Sequence, residues 1–288
     1  MNIIGRLITN VGGIYFMRER IIMLGTGNGS TVKLYNTCFI IQNETGNFLI
    51  DTGSSMEITN RLSQVNIKLE EINNIFISHS HTDHILGLIN MFKKIGWKAM
   101  HNEYKEKINI YCNSYVHESI INIAKYTLPS KLLDYVYSIV DFRILNDDDR
   151  YTINNVEYRF FDLKSKSVNI YGFECVLNDK RLIFLGDVKP EIDTEKDIEQ
   201  RLTNADYVMH EVFCLDSEEK IFHPYAGNHS TVKSACINMN KLGVKNLILY
   251  HTEETHGIER KTLYENEGKQ YFKGKVIVPN DLEIIDII

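Results

Sequence analysis

The sequence lacks an excess of positive charge and lacks any long apolar run. Its formal net charge is −6 over 288 residues and its pI is near 5.9, so no overall positive field attracts nucleic acid or an anionic membrane. No apolar stretch approaches the roughly 20 residues of a membrane-spanning helix. The first twenty residues carry Arg6, Arg18 and Arg20 and show no signal-peptide pattern. These absences argue against a membrane protein and against a tight RNA binder.

Paired cysteines and low-complexity linkers are also missing. The odd number of cysteines, their wide spacing and the absence of a Cys-x-x-Cys pair are typical of reduced core thiols, which predicts a cytoplasmic protein. The five are Cys38, Cys112, Cys175, Cys214 and Cys236. With 43% hydrophobic and 24% charged residues, the composition is that of a folded protein. We predict one domain over residues 17–288, and interpret residues 1–16 either as a mobile N-terminal extension or as the product of a start codon assigned too far upstream.

A glycine-rich segment follows the first predicted strand. Residues 20–24 are strand-like and run into Gly25-Thr-Gly-Asn-Gly-Ser30, whose glycines allow backbone N–H groups to approach an anion. It is not a Walker loop, because no Gly-Lys-Ser/Thr follows. It is not a dinucleotide fingerprint either, because a strand-like stretch comes next and not a helix. A plain turn is the favoured interpretation, and an anion-binding loop is the alternative.

Strand-like and helix-like stretches alternate along the whole chain. Further strands are predicted at 37–41, 48–50, 75–77, 156–161, 173–176, 182–184, 207–209, 247–250 and 275–278, and helices at 56–65, 85–92 and 230–242. The last helix has its predicted N-cap at His229 or Ser230. Because both halves of the chain follow the same plan, the sequence favours one α/β domain built from two similar halves.

Four metal-ligand side chains lie within six residues, His79-Ser-His-Thr-Asp-His84. Imidazoles and carboxylates are ligands of zinc, iron and manganese, and a site supplied by loops leaves positions open for water and substrate. Ten histidines in 288 residues would rarely cluster in this way by chance. The segment therefore predicts a metal centre, placed on a loop between a strand and a helix.

This segment resembles the H-x-H-x-D-H signature of the metallo-β-lactamase superfamily. Leu49-Ile-Asp-Thr-Gly53 resembles the superfamily's first motif, Leu185-Gly-Asp187 its bridging-carboxylate motif, and His251 its last histidine. The resemblance implies a four-layer αββα sandwich, with two mixed β-sheets between outer helices. It further implies the following ligand set: His79 and His81 on one metal, Asp83, His84 and His251 on a second, Asp187 between them, and Asp51 orienting the histidine loop.

The C-terminal half is similar to one branch of that superfamily, ribonuclease Z and its relatives. The similar segments begin at His210-Glu211, His229-Ser-Thr and Leu247, so the resemblance covers most of residues 20–255. It implies that Glu211 orients His229 and that His229 stabilises or protonates the leaving oxygen of a phosphodiester, while Asp83 orients metal-activated water. His210 could equally be a packed residue.

Two departures from this branch bear on function. Lys166 stands where a further metal-binding histidine is expected, and a protonated lysine is a poor ligand. Either one metal is weak or absent, or another group replaces the ligand, or Lys166 faces substrate phosphate as a cation. The long basic arm of tRNA-processing members is also missing, because only residues 174–186, a hairpin turning at 178–180, fill its place. tRNA processing is therefore disfavoured unless a partner supplies the arm.

These observations favour a metal-dependent phosphodiesterase acting on a small phosphodiester or a nucleotide-like substrate. The expected cofactor is Zn²⁺, one or two ions per chain, with manganese or iron as alternatives. The competing hypotheses are hydrolysis of another ester class, a sulfate ester or a thioester, and a non-catalytic metal or ligand sensor. A β-lactamase role is disfavoured because no export signal is present. The resemblance also leaves a homodimer open.

Overall fold

The computed structural model describes residues 9–11, 14–16, 19–187 and 196–288. Two short strands, β1 (Thr9–Val11) and β2 (Ile14–Phe16), pair as an antiparallel hairpin within the predicted extension 1–16. The other residues of that extension lie outside the described residues. In the part of the chain that is described, no helix combines the length and the apolar character needed to cross a membrane.

The first half of the chain forms one seven-stranded sheet and the four helices that cover it. Its elements are β3 (Arg20–Gly25), β4 (Cys38–Asn43), β5 (Gly46–Ile50), α1 (Glu57–Gln64), β6 (Ile72–Phe76), α2 (Thr82–Met100), β7 (Ile108–Asn113), α3 (Ser114–Thr127), α4 (Ser130–Ile139) and β8 (Val140–Leu145). Strands β3, β4 and β5 are antiparallel, whereas β5 through β8 are parallel.

The second half repeats this arrangement. Its elements are β9 (Arg150–Ile153), β10 (Val156–Asp162), β11 (Tyr171–Leu177), β12 (Lys180–Phe184), α5 (Lys196–Leu202), β13 (Tyr207–Glu211), α6 (Glu219–Phe222), α7 (Val232–Lys241), β14 (Asn246–Tyr250), α8 (Arg260–Tyr271), β15 (Lys275–Ile277) and β16 (Ile284–Asp286). Strands β9 through β12 are antiparallel and β12 through β15 are parallel. Strand β16 returns to the first sheet, antiparallel to β3.

Three buried layers of apolar side chains hold the four structural layers together. An aliphatic cluster fills the space between the first sheet and its helices, and a second lies between the other sheet and α5, α7 and α8. The layer between the two sheets is rich in aromatic rings, such as Phe76 and Phe173, whose centroids are 5.8 Å apart in an edge-to-face contact. The αββα sandwich implied by the sequence is confirmed.

The structure corrects two predicted helix starts. Helix α2 begins at Thr82, not at Ile85, so Asp83 and His84 lie in its first turn and not in the preceding loop. The N-cap of α7 is Thr231, not His229 or Ser230: its side chain accepts a hydrogen bond from the backbone N–H of Ser234. A polar first turn hides both helix starts from a search for apolar periodicity.

The motif residues meet at one edge of the sandwich. Asp51 follows β5, His79 lies three residues after β6, Asp187 lies three residues after β12, Glu211 ends β13 and His251 follows β14. Each of these strands pairs in parallel with a neighbour, and the carboxyl ends of parallel strands share one edge, where α/β folds place their ligands.

Candidate metal centre

Asp51 connects the end of β5 to the histidine segment. Its backbone is left-handed, with φ of 54°, and its side chain is 1% exposed. The carboxylate accepts hydrogen bonds from the backbone N–H of Ser78 at 2.8 Å, from the Ser78 hydroxyl at 2.7 Å and from His84 Nδ1 at 2.8 Å. Because Nδ1 of His84 is held by Asp51, its Nε2 is the nitrogen left to face the centre.

Four buried side chains converge at this point. The ligand atoms of Asp83, His84, Asp187 and His251 all lie within 4.8 Å of one another. His251 Nε2 is 2.9 Å from Asp187 Oδ2, and His84 Nε2 is 3.2 Å from Asp83 Oδ2 and contacts the same Asp187 oxygen. His251 reaches this position with a left-handed backbone, φ 62°. The two halves of the chain therefore contribute two of these side chains each.

The electrostatics of the cluster favour a cation. Burial disfavours a charged imidazole, yet the Asp187 and Asp83 carboxylates outweigh this effect and raise the pKa of His251 to about 10 and the pKa of His84 well above its usual value. Burial also disfavours the charged form of Asp187, but His251 and His84 hold its pKa well below the usual range. The two carboxylates thus stabilise positive charge at this point.

Buried atoms without hydrogen-bond partners show that the residues fit a divalent metal. Both carboxylate oxygens of Asp187 and Nε2 of His84 are buried without a well-directed hydrogen bond, although they are close together. Acceptors aimed at a common point are satisfied by a metal ion, whereas they would otherwise carry the cost of burial. The donor set, two imidazoles and two carboxylates, suits zinc, iron or manganese.

His79 and His81 lie beside this cluster but outside the four-residue set. The ring of His79 has its centroid 4.1 Å from that of His84 and 4.5 Å from that of His81. Burial, with His84 nearby, lowers the pKa of both histidines, most strongly that of the fully buried His79, so their imidazoles are neutral. His79 Nε2 is buried without a hydrogen-bond partner. Neutral imidazoles in this position are suited to a second metal.

Lys166 lies in the connection between β10 and β11, and its side chain is exposed. The C-terminal end of this connection lies beside the start of the histidine segment, because the backbone N–H of Tyr171 donates to the carbonyl of Ser78 at 3.0 Å. Among the described residues, the clusters of His, Cys, Asp and Glu that could hold a metal add no replacement ligand from this connection.

Glu211 and His229 form a second group against the metal cluster. The Glu211 carboxylate is fully buried; its Oε1 accepts a hydrogen bond from the Ser230 N–H at 2.8 Å, and its Oε2 is 3.3 Å from His229 Nδ1. The ring centroid of His229 is 5.1 Å from that of His251. Since Nδ1 of His229 faces Glu211, Nε2 is the nitrogen available to a substrate. His210, in contrast, is fully buried, with Nδ1 2.5 Å from the Glu211 carbonyl oxygen.

A cleft of about 390 Å³ opens onto His229 and the metal cluster. Besides motif residues, its wall contains Asn28, Gly29, Phe213, Phe222 and His223, none of which the sequence analysis assigned to the site. A Cβ on Gly29 would lie 3.0 Å from Asp83 Oδ2, so the glycine-rich segment passes directly over the metal cluster. The sequence offered one signal for this, the anion-binding alternative for that segment; the 213–227 segment has no periodic pattern that could place it.

Both the sequence and the fold of this chain resemble those of known proteins. The chain is 28% identical to a ribonuclease Z of Methanococcus aeolicus over 252 residues, which are 84% of this chain and 74% of that protein. The fold resembles that of the metallo-β-lactamase fold protein YhfI from Bacillus subtilis (TM-score 0.73, 15% identity, 94% of this chain and 100% of that chain). It also resembles human tRNase Z, short form (TM-score 0.67, 18% identity, 93% and 99%).

Fold and cluster together define a metal-dependent hydrolase of the metallo-β-lactamase superfamily, similar to ribonuclease Z. Within that class, residues 19–260 match the family model described as Anti-Pycsar protein Apyc1. The chain belongs to this family.

Proposed function

We propose that this protein hydrolyses a small phosphodiester or nucleotide-like substrate at the cleft, with a divalent metal held by His79, His81, Asp83, His84, Asp187 and His251. The observation that carries the proposal is the Glu211–His229 pair, which lies against His251 of the metal cluster and whose His229 lines the same cleft. When bound, the metal would supply activation of water and would neutralise charge on the phosphoryl oxygens.

The other roles fall to residues of the chain. Asp83 lines the cleft beside the cluster and is the carboxylate that would orient the attacking water and accept its proton. His229 would donate a proton from Nε2 to the leaving oxygen, and Glu211, behind it, would hold the ring and stabilise its charged form. Asp51 would act through His84, whose orientation it sets.

The test compares leaving groups in the metal-loaded His229→Ala variant. A p-nitrophenolate leaves without much help, whereas an alkoxide needs a proton. The variant should therefore lose about 100-fold in kcat on an alkyl phosphodiester and clearly less on bis(p-nitrophenyl) phosphate. The matched control is His101→Ala, which removes an exposed histidine at the end of α2 and should leave both rates unchanged.

Two outcomes would contradict this function. A wild type that cleaves a thioester or sulfate ester but not bis(p-nitrophenyl) phosphate would assign the cleft to another ester class. If Asp83→Ala and His229→Ala left hydrolysis unchanged, the activity would not come from this site, and a metal or ligand sensor would be favoured.

We propose Zn²⁺ as the metal, with manganese or iron as alternatives, because all three accept this donor set. Metal content per chain, measured by mass spectrometry, decides between one ion and two. The buried, unpaired cysteines support a reducing, cytoplasmic compartment. tRNA remains disfavoured as a substrate because β11 and β12 are joined by a two-residue turn and not by an arm. Light scattering would test the homodimer.

A further inference from the structure

The glycine-rich segment is fixed in place directly against the metal cluster. The backbone N–H of Asn28 donates to the carbonyl of Thr252 at 3.0 Å, one residue after His251. The Asn28 carbonyl accepts from Asn36 Nδ2 at 2.8 Å, and Gly29 passes over Asp83. Asn28 is 1% exposed and lines the cleft. The segment is therefore a rigid part of the site.

The hydrogen bonds of Asn28 determine which way its side-chain amide points. Oδ1 accepts from the backbone N–H of Ser30 at 2.8 Å and from the Ser30 hydroxyl at 2.7 Å. A backbone N–H can only donate, so the atom that it meets is the oxygen and the opposite atom is Nδ2. This Nδ2 is buried and has no hydrogen-bond partner.

Nδ2 of Asn28 requires a different kind of binding partner from the buried atoms of Asp187 and His84. A cation satisfies the buried acceptors of Asp187 and His84, but it cannot satisfy an N–H group, which requires an oxygen with a lone pair. A buried donor left unpaired loses the hydrogen bonds that it makes to water in the unfolded chain, which destabilises the fold. Where such a donor lines a catalytic cleft, an oxygen of the bound substrate is the partner that removes this cost.

We propose that Asn28 donates a hydrogen bond through Nδ2 to a non-bridging phosphoryl oxygen of the substrate; this rests on the proposed phosphodiester hydrolysis. The glycine-rich segment is then a substrate-contacting element, and a Cβ at Gly29 would make a tight 3.0 Å contact with Asp83 Oδ2. Asn28 fixes the phosphoryl group while charge develops on its oxygens.

Two substitutions isolate the donor. Asn28→Asp keeps an acceptor for Ser30 but replaces Nδ2 by an oxygen, and Asn28→Ser offers Ser30 a neutral hydroxyl acceptor without a group that reaches as far as Nδ2. Both variants should lose about 10-fold or more in kcat/KM on bis(p-nitrophenyl) phosphate. Both should also bind inorganic phosphate about 10-fold more weakly by calorimetry, with wild-type metal content.

Asn43 offers a matched control in the turn between β4 and β5, at the end of these strands that lies away from Asp51 and the metal cluster. Its Oδ1 accepts from the backbone N–H and hydroxyl of Thr45 at 2.9 and 2.7 Å, which is the same local turn as at Asn28. Asn43→Asp and Asn43→Ser should leave kcat/KM and phosphate affinity unchanged, even if they lower the melting temperature.

Three results would overturn the role of Asn28: wild-type kcat/KM and phosphate affinity in Asn28→Ser, a loss confined to Asn28→Asp, which would indicate charge and not a missing donor, or a loss of bound metal that accounts for the lost activity. The proposed function can fail separately. If the wild type cleaves no phosphodiester, the phosphate titration still decides, because equal affinity in wild type and Asn28→Ser, or no phosphate binding at all, removes the proposed contact.

Discussion

At the scale of single residues, two kinds of buried polar atom meet in the cleft. Both carboxylate oxygens of Asp187 and Nε2 of His84 lie close together without a directed hydrogen bond, and Nδ2 of Asn28 has no acceptor. Cores do not usually tolerate either. Their coexistence in one cleft is explained if a cation and an oxygen-bearing substrate together complete the hydrogen bonding and coordination that the protein alone leaves open.

The five cysteines provide a prediction at this scale. All are buried, and burial raises the pKa of Cys112, Cys214 and Cys236 to about 12 and that of Cys38 and Cys175 well above the usual value. A thiol of pKa 12 is a thiolate in roughly one molecule in ten thousand at pH 8. A thiol-reactive disulfide reagent should therefore label none rapidly in the native protein between pH 7 and 9.

Denaturation provides the control, since five thiols should then react per chain. Rapid native labelling of even one thiol would show that its site is open to solvent or that its thiolate is stabilised.

Residue identity is enough to propose the metal cluster, four of whose side chains the structure brings together, but it does not indicate the rest of the cleft. His79 to His84, Asp187 and His251 can be proposed from spacing and resemblance because metal ligation demands particular side chains. Asn28 could not be chosen over its neighbours, because its role depends on the direction of an amide that the Ser30 hydrogen bonds set. Such directions are tertiary facts and leave no trace in spacing.

At the scale of elements, helix α2 is held against the loop that follows β5. Thr52 makes the connection: its N–H and hydroxyl donate to the His84 carbonyl at 3.1 and 2.6 Å, and its Oγ1 accepts from the Leu88 N–H at 2.9 Å. The N–H of Gly87 donates to the Gly53 carbonyl at 2.8 Å. The first turn of α2, which carries the proposed ligands Asp83 and His84, is positioned by this contact.

Gly87→Ala tests that contact. A Cβ at this position would lie 2.0 Å from the Thr52 carbonyl oxygen, which is backbone and cannot rotate away. The helix must therefore shift, and we expect a loss of about 1–3 kcal/mol in the free energy of unfolding together with weaker metal binding. Chemical denaturation and a metal titration measure the two effects.

Lys93→Ala, on the exposed face of the same helix, is the control and should change stability by less than about 0.5 kcal/mol. A Gly87→Ala protein as stable as wild type, with unchanged metal affinity, would mean that α2 is not positioned by the Thr52 loop.

The predicted strands correspond to observed strands because short apolar runs between turn residues are a local signal. Strand β16 has only three residues, and no local pattern indicates its place beside β3, which follows from a pairing of Ile284 with Ile22, far apart in the chain. The start of α2 was misplaced for a different reason: the polar residues Asp83 and His84 interrupt the apolar pattern that marks a helix.

At the scale of the whole molecule, the metal cluster joins the two halves of the sandwich. Asp83 and His84 come from the first half, and Asp187 and His251 from the second. A metal bound there would cross-link the two halves and, by binding the folded state in preference to the unfolded one, would stabilise the fold by mass action.

Removing the metal should therefore lower stability measurably. With free metal at about 100 times its dissociation constant, chelation should reduce the free energy of unfolding by about 2.7 kcal/mol, a fall of several degrees in the melting temperature by calorimetry. Asp187→Asn should abolish most of this response, while Asp141→Asn, on exposed β8, should keep all of it. A melting temperature that is insensitive to chelation in the wild type would contradict metal binding at the junction of the two halves.

The turn between β11 and β12 bears on how this chain could change its substrate range. Hairpin tips usually accept insertions without harm, but Asn178, at this tip, donates from Nδ2 to the carbonyls of Glu19 and Ile287 at 2.8 and 2.9 Å, and its N–H donates to the Glu19 carboxylate at 2.5 Å. These hydrogen bonds attach the tip to the residue before β3 and to the residue after β16, two strands of the other sheet. Inserting an RNA-binding arm at this turn would break these hydrogen bonds. In the evolution of such an arm, a stabilising change elsewhere in the chain would therefore have to precede the insertion.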